Sequence, residues 1–291
     1  MVAPLRLGVA LAASACVLSS CTVPTGPQQE PPTVVVKSTE FVTPPPAPAP
    51  APSTTEHSAA TPDAQSLLDA TVQAASAWGT AGAAVSGPNG VVASGEQGAT
   101  AAWSTIKVPI AIAALRADPA ASGDVAAAIT ASDNAAAERL YATAGADAVD
   151  AVLSESGLTV PVNTAKTRPE FSTFGQTALT VNDEAQLADS LACIAGAEQV
   201  LQLMGQVDPG QSYGLGTLGA LFKGGWGPDT AGMYQVRQFG LVPRADGSYA
   251  PVAFTAFPAD GAYDTGQQML NAMAQRLGEG TELLPAARCQ P

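Results

Sequence analysis

The run Ser104-Thr105-Ile106-Lys107-Val108-Pro109-Ile110-Ala111-Ile112-Ala113-Ala114-Leu115 is apolar nearly all round once past its first four residues. Such a pattern predicts a helix over Ser104–Ala117 that lies inside the protein rather than on its surface. Ser104 and Lys107 open that helix three positions apart, a spacing that puts a hydroxyl and an amine on one face. The free N–H groups and positive potential of a helix N-terminus then lie beside the hydroxyl. Burial disfavours the charged ammonium, so the Lys107 pKa is expected to fall and leave a neutral amine available as a base. A serine hydroxyl needs such a partner to act as a nucleophile. Read structurally instead, Ser104 is a helix cap.

Outward from this run, Asp63 to Trp78 carries Leu67, Leu68, Val72 and Ala75 at helical spacing. Gly87-Pro88-Asn89-Gly90, between Ala81–Ser86 and Gly90–Ala93, is a hairpin signal. Helical patterns continue from Val125 to about Gly205. The period then changes. Leu218–Phe222, Tyr234–Val242 and Tyr249–Phe257 read as strands, and Asp264–Leu277 as a closing helix. Two strands, a block of helices and three more strands predict an α+β fold, a mostly antiparallel five-stranded sheet flanked by helices over residues 62–291.

Composition narrows the chemistry. The chain has 291 residues and a net charge of -13, with no basic stripe to neutralise phosphates, which excludes nucleic acid as a partner. Its single histidine, His57, falls in a Pro/Thr/Ala-rich stretch, so the folded part has no imidazole for a Ser-His-Asp triad or a His-based zinc centre. No metal and no cofactor are expected. Catalysis then rests on Ser, Lys, Asp or Glu, and two further clusters offer these types. Ser132-Asp133-Asn134, between helical stretches, supplies a hydroxyl able to relay a proton and an amide able to hold a carbonyl. Lys223-Gly224-Gly225, read as the end of a strand, supplies a cation for an anionic group and two glycines that let a substrate backbone approach. Both clusters also read as ordinary turns. The folded part holds only Lys107, Lys166 and Lys223 as lysines, however, and two of the three fall in these motifs.

Ser-x-x-Lys, Ser-Asp-Asn and Lys-x-Gly, in that order and without histidine, resemble the penicillin-recognising serine hydrolases, and most of all the class A β-lactamases. The resemblance spans roughly residues 62–280. It implies that Ser104 is the acylated nucleophile and Lys107 its base, that Ser132 passes a proton to the leaving nitrogen, and that Asn134 orients the substrate amide. It further implies that Lys223 faces the substrate carboxylate and that the backbone N–H groups of Ser104 and Trp226 form the oxyanion hole. The expected substrate is a β-lactam or a peptidoglycan-peptide-like molecule, taken up by a monomer.

Three departures from the family pattern stand out. Only 28 positions separate Ser104 from Ser132, which implies a reduced helical subdomain. The third motif has Gly224 where the family carries a hydroxyl, and Arg237 on the next strand is either a substitute carboxylate ligand or a surface arginine. The Glu-x-x-Leu-Asn motif that supplies the deacylating base is missing; Glu170 is the only acid between Asn163 and Thr180, as a candidate base or an ordinary surface group. Without that base an acyl-enzyme forms and persists, as in a D,D-carboxypeptidase-type penicillin-binding protein. The alternative from another class is a catalytically impaired binding or scaffold module.

Residues 1–21 read as an exported signal: Arg6, an apolar stretch from Leu7 to Val17, then Leu18-Ser19-Ser20-Cys21. The last four resemble a lipobox, which implies lipidation at Cys21 and anchoring to the outer face of the cell membrane. Residues 22–61 are Pro-, Thr- and Ala-rich and predict a disordered spacer with a reach of roughly 100 Å. In an oxidising compartment Cys193 and Cys289 are expected to pair, at a gain of about 4 kcal/mol. Gly214-Leu215-Gly216-Thr217-Leu218-Gly219 matches a dinucleotide fingerprint by letter, but a strand rather than a helix is expected after it, which argues against nucleotide binding.

Overall fold

A computed structural model describes residues 63–291; the expected signal segment, Cys21 and the spacer 22–61 lie outside the described residues. Asp63 starts the fold by capping helix α1 (Ala64–Ala75), its carboxylate accepting from Ser66 N at 2.8 Å. The hairpin signal is realised as β1 (Gly79–Gly87) and β2 (Gly90–Gly95), with Gly90 at a φ of 101° that suits glycine. Three more strands, β5 (Leu221–Pro228), β6 (Tyr234–Pro243) and β7 (Tyr249–Pro258), complete a five-stranded sheet after the short ladder of β3 (Thr100–Ala101) and β4 (Ala178–Leu179). The order is β2-β1-β7-β6-β5 and every pairing is antiparallel. The expected α+β architecture is therefore present.

Alternation along the strands serves two cores. Val252, Phe254 and Ala256 of β7 join Val85 in one of them, against Leu67 and Leu68 of α1 and Met269, Leu270, Met273 and Leu277 of α8 (Tyr263–Gly278). Ala253, between them in sequence, faces the other core with Phe239 and Leu241. That second core contains α6 (Val181–Ser190) and the helical block α2 (Lys107–Ala117), α3 (Ser122–Thr130), α4 (Asn134–Ala144), α5 (Ala146–Glu155) and α7 (Glu198–Met204). Helix α2 is buried from Lys107 through Ala114, as an all-round apolar run requires. Only α2, α3 and a single 3-10 turn lie between Ser104 and Ser132. The disulfide Cys193–Cys289 joins the turn after α6 to the C-terminal tail across a Cα separation of 5.4 Å.

Two local expectations are corrected. Ser104 does not open the α-helix; it sits in a 3-10 turn, Trp103–Ile106, and α2 begins at Lys107. The fifth strand starts at Leu221, so Lys223-Gly224-Gly225 lies within it instead of ending it, while Gly214–Leu218 forms a 3-10 turn with no βαβ unit around it. Glycines read in isolation as a strand stop; here a close approach between backbones requires Gly225.

Candidate active site

Lys223, Gly225 and Gly227 are alternate residues of edge strand β5 and so share one face of the sheet. A Cβ on Gly225 would stand 2.9 Å from Ser104 N and 2.8 Å from Ala102 O, and one on Gly227 would strike the Trp103 ring at 2.4 Å. The 3-10 turn that carries Ser104 is thus pressed directly onto the strand. The two glycines are the reason it fits. The space at Gly225 is filled by the turn of Ser104, so that glycine serves close packing and not the approach of a substrate backbone; Gly224 faces the other way, towards Gln238. Trp103 is held with its indole N–H donating to Gln235 Oε1 at 3.2 Å, and at a φ of 53°.

The second motif is positioned by a helix start. Asp133 caps α4, accepting from Ala136 N at 2.8 Å, which places Asn134 in the first turn and Ser132 just before it. Ser132 has a φ of 58°, strained for a residue other than glycine. In that conformation its carbonyl and its hydroxyl both face Lys107: Lys107 Nζ donates to Ser132 O at 2.6 Å and to Asn134 Oδ1 at 2.7 Å, and lies 3.4 Å from Ser132 Oγ. From the opposite side Lys223 Nζ donates to Ser132 Oγ at 2.9 Å and to Gly224 O at 3.0 Å. Trp103 and Ser132 are the two described residues other than glycine with positive φ, and both flank Ser104 or contact the lysines.

Both lysines are buried. Burial lowers the Lys107 pKa to about 8, with the negative charges of Asp133 and Glu138 opposing the shift. Lys223 is held far below the usual lysine range by burial first and by the nearby charge of Lys107 second. A neutral amine has two N–H donors and one lone pair. At Lys107 the Ser132 carbonyl and the Asn134 amide oxygen take the two donors, which leaves the lone pair free for a hydroxyl.

Ser104 is half-buried and opens onto a cleft of about 430 Å³ shared with Asn134, Glu138, Glu170 and Trp226. Its Oγ makes no hydrogen bond to a described residue, and the expected direct contact with Lys107 is not formed. Lys107 is drawn instead to Ser132 and Asn134, because Ser104 lies in the tighter turn before the helix. Catalytic hydrogen bonds are often loose without substrate and tighten once it binds.

Arg237 is a correction. It is neither a cleft residue nor a surface arginine: it is fully buried, pairs with Glu184 at 2.8 Å, and donates to the carbonyls of Ala101 at 2.9 Å and Leu179 at 3.2 Å. It ties β3, β4 and α6 to the sheet just ahead of the turn that carries Ser104. Glu170 does border the cleft, half exposed and paired with Arg168 at 3.2 Å. Arg168 in turn lies 4.4 Å over the Phe171 ring, whose neighbour at 5.1 Å is Trp103. The sequence reading passed over Glu138. Its position four residues after Asn134 puts it on the same helix face, a signal legible only once α4 is placed against the cleft.

Comparison with solved structures settles the fold. A β-lactamase from Sphaerobacter thermophilus superposes with a TM-score of 0.58 at 22% identity, covering 76% of this chain and 98% of that one. A class A β-lactamase from Mycobacterium abscessus gives a TM-score of 0.60 at 13% identity, covering 74% and 99%. The fold is that of the class A β-lactamases. It is shared with a variant of the penicillin-binding protein PBP-A, solved as an acyl-enzyme complex with penicillin G, at a TM-score of 0.59, 19% identity and 75% and 97% coverage. No family model and no curated protein matches the sequence.

Proposed function

We propose that this chain is a cell-envelope serine hydrolase of β-lactamase type, acylated at Ser104 by a β-lactam or a D-Ala-D-Ala-type peptide. The observation that carries the reading is the convergence of two buried lysines, from α2 and from β5, on the single hydroxyl of Ser132, two residues before the Asn134 that shares a cleft with Ser104. A protein interior holds two such cations a few ångströms apart only at a cost, and neutralising at least one of them relieves it. The arrangement therefore favours a neutral amine next to the Ser132 hydroxyl, and a neutral amine is what serine activation requires.

In this reading Lys107 accepts the Ser104 proton as Oγ attacks the carbonyl carbon. Ser132, held by Lys223, passes a proton to the departing nitrogen. Asn134 orients the substrate amide, and the backbone N–H groups of Ser104 and Trp226 receive the developing oxyanion. Lys223 faces the substrate carboxylate, whose negative charge favours the protonated form of the buried amine. Export and lipidation at Cys21 belong to the same proposal and rest on the sequence alone.

Incubation of the chain with a fluorescent penicillin, followed by peptide mass spectrometry, tests it. A covalent adduct on Ser104, absent from Ser104→Ala, is the expected result; no adduct in the unsubstituted protein overturns it in favour of a non-catalytic module. Release of D-Ala from a muropeptide, faster than hydrolysis of penicillin, identifies a carboxypeptidase rather than a lactamase.

A further inference from the structure

Two carboxylates border the cleft of Ser104, and their surroundings differ. Glu170 is engaged by Arg168 at 3.2 Å. Arg168 is itself anchored to the Pro228 carbonyl at the end of β5, so the carboxylate is tied to the outer wall. Glu138 projects from α4, one helical turn beyond Asn134, into the cleft that Ser104 and Asn134 share. It forms no ion pair and accepts no hydrogen bond from a described residue. It is also close enough to the catalytic lysine for its charge to favour the protonated form of Lys107. A solvent-facing carboxylate with free lone pairs, lining the same cleft as a serine nucleophile, is placed to hold a water molecule.

We propose that Glu138 is the general base that hydrolyses an acyl group on Ser104, supplying from α4 what the segment 163–180 lacks. The inference rests on the acylation of Ser104 proposed above. In the step, Glu138 takes one proton from water while the water oxygen bonds to the acyl carbonyl carbon. The tetrahedral adduct collapses by breaking the bond from that carbon to Ser104 Oγ. The proton held by Glu138 returns to Ser104 Oγ, so water is the only co-reactant and the free acid the only product. Acylation does not use Glu138, and removing its charge favours the neutral Lys107 amine on which acylation depends. Loss of the carboxylate therefore separates the two half-reactions.

The test compares the full chain with its Glu138→Gln and Glu170→Gln variants, each pulsed with benzylpenicillin and followed by intact-protein mass spectrometry. Glu138→Gln is expected to acquire the adduct no more slowly than the unsubstituted chain, since loss of the Glu138 charge favours the neutral Lys107 amine, and to release it at least ~100-fold more slowly, the usual worth of a general base. Because Glu138 is solvent-facing, the amide disturbs no packing, and normal adduct formation itself demonstrates a folded site. Release at equal rates from Glu138→Gln and the unsubstituted chain overturns the assignment while leaving acylation intact. Slow release confined to Glu170→Gln, or an adduct that the unsubstituted chain never releases, overturns it as well. The absence of any adduct overturns the acylation reading and this assignment together.

Discussion

Lys223 Nζ lies 2.9 Å from Ser132 Oγ, a contact between β5 and the loop before α4 that spans 91 positions of sequence. It joins the sheet to the helical block at the point where the chemistry is proposed. Lys223 is fully buried and its pKa is driven far down by that burial. Replacement by methionine, which fills similar space without a charge, is expected to cut the acylation rate by roughly 10²–10³-fold, because Ser132 loses the group that orients its proton. The same change is expected to leave stability equal or higher, since a buried amine without a carboxylate partner is removed. Stopped-flow acylation and urea unfolding check the two halves separately.

The pH dependence follows from Lys107. Its amine is the base only when neutral, so acylation is expected to rise with pH through about 8. Stability carries the same signature. The pKa falls from 10.5 in the unfolded chain to about 8 in the folded one, so between these values the unfolded chain binds more protons and stability rises with pH. Below about 8 both states are protonated and the cost of burying the charge is carried in full. The difference in unfolding free energy between the protein and Lys107→Met, measured by urea titration from pH 7 to 10, is expected to show this slope.

Neighbouring glycines should respond in opposite ways. A methyl at Gly225 meets three backbone atoms at 3.0 Å or less, and backbone cannot move aside cheaply. Gly225→Ala is expected to cost about 1–3 kcal/mol and to abolish acylation by displacing Ser104. At Gly224 the nearest contact is an ordinary 3.7 Å, so Gly224→Ala is expected to change stability by no more than ~0.5 kcal/mol. Thermal melts and penicillin labelling of the two variants make the comparison.

Arg237 tests structure against substrate binding. Removing it leaves Glu184 buried without its partner, and burial already pushes that carboxyl upward against the guanidinium. Arg237→Ala is expected to lose about 3–5 kcal/mol of stability. Replacing the pair together, Arg237→Met with Glu184→Leu, is expected to recover most of it. Chemical denaturation of the single and double variants decides between the two roles, because a substrate ligand would be equally lost in both.

Much of the fold was legible in local pattern. Side-chain period reports which face of an element is buried, so the apolar run after Lys107 announced an internal helix, and Gly87-Pro88-Asn89-Gly90 announced its hairpin. The order of Ser104, Lys107, Ser132, Asn134 and Lys223 was visible as well, since those residue types are the ones able to do acyl transfer in a chain whose folded part lacks histidine. Strand ends were less so. Gly224 and Gly225 looked like a stop because local propensity weighs only the glycine backbone and not the turn that will be packed against it.

What sequence alone determined, then, was the period of the elements and the inventory of groups able to react. Tertiary structure decided which partner each group meets. It sent Arg237 to Glu184 and away from the cleft, turned Lys107 towards Ser132 and Asn134 instead of Ser104, and brought Glu138 to the cleft unpaired while pairing Glu170 with Arg168. These outcomes depend on burial and charge shared between segments tens of residues apart. No local pattern encodes that sharing, because the cost of burying a charge is set by whichever side chain arrives opposite it.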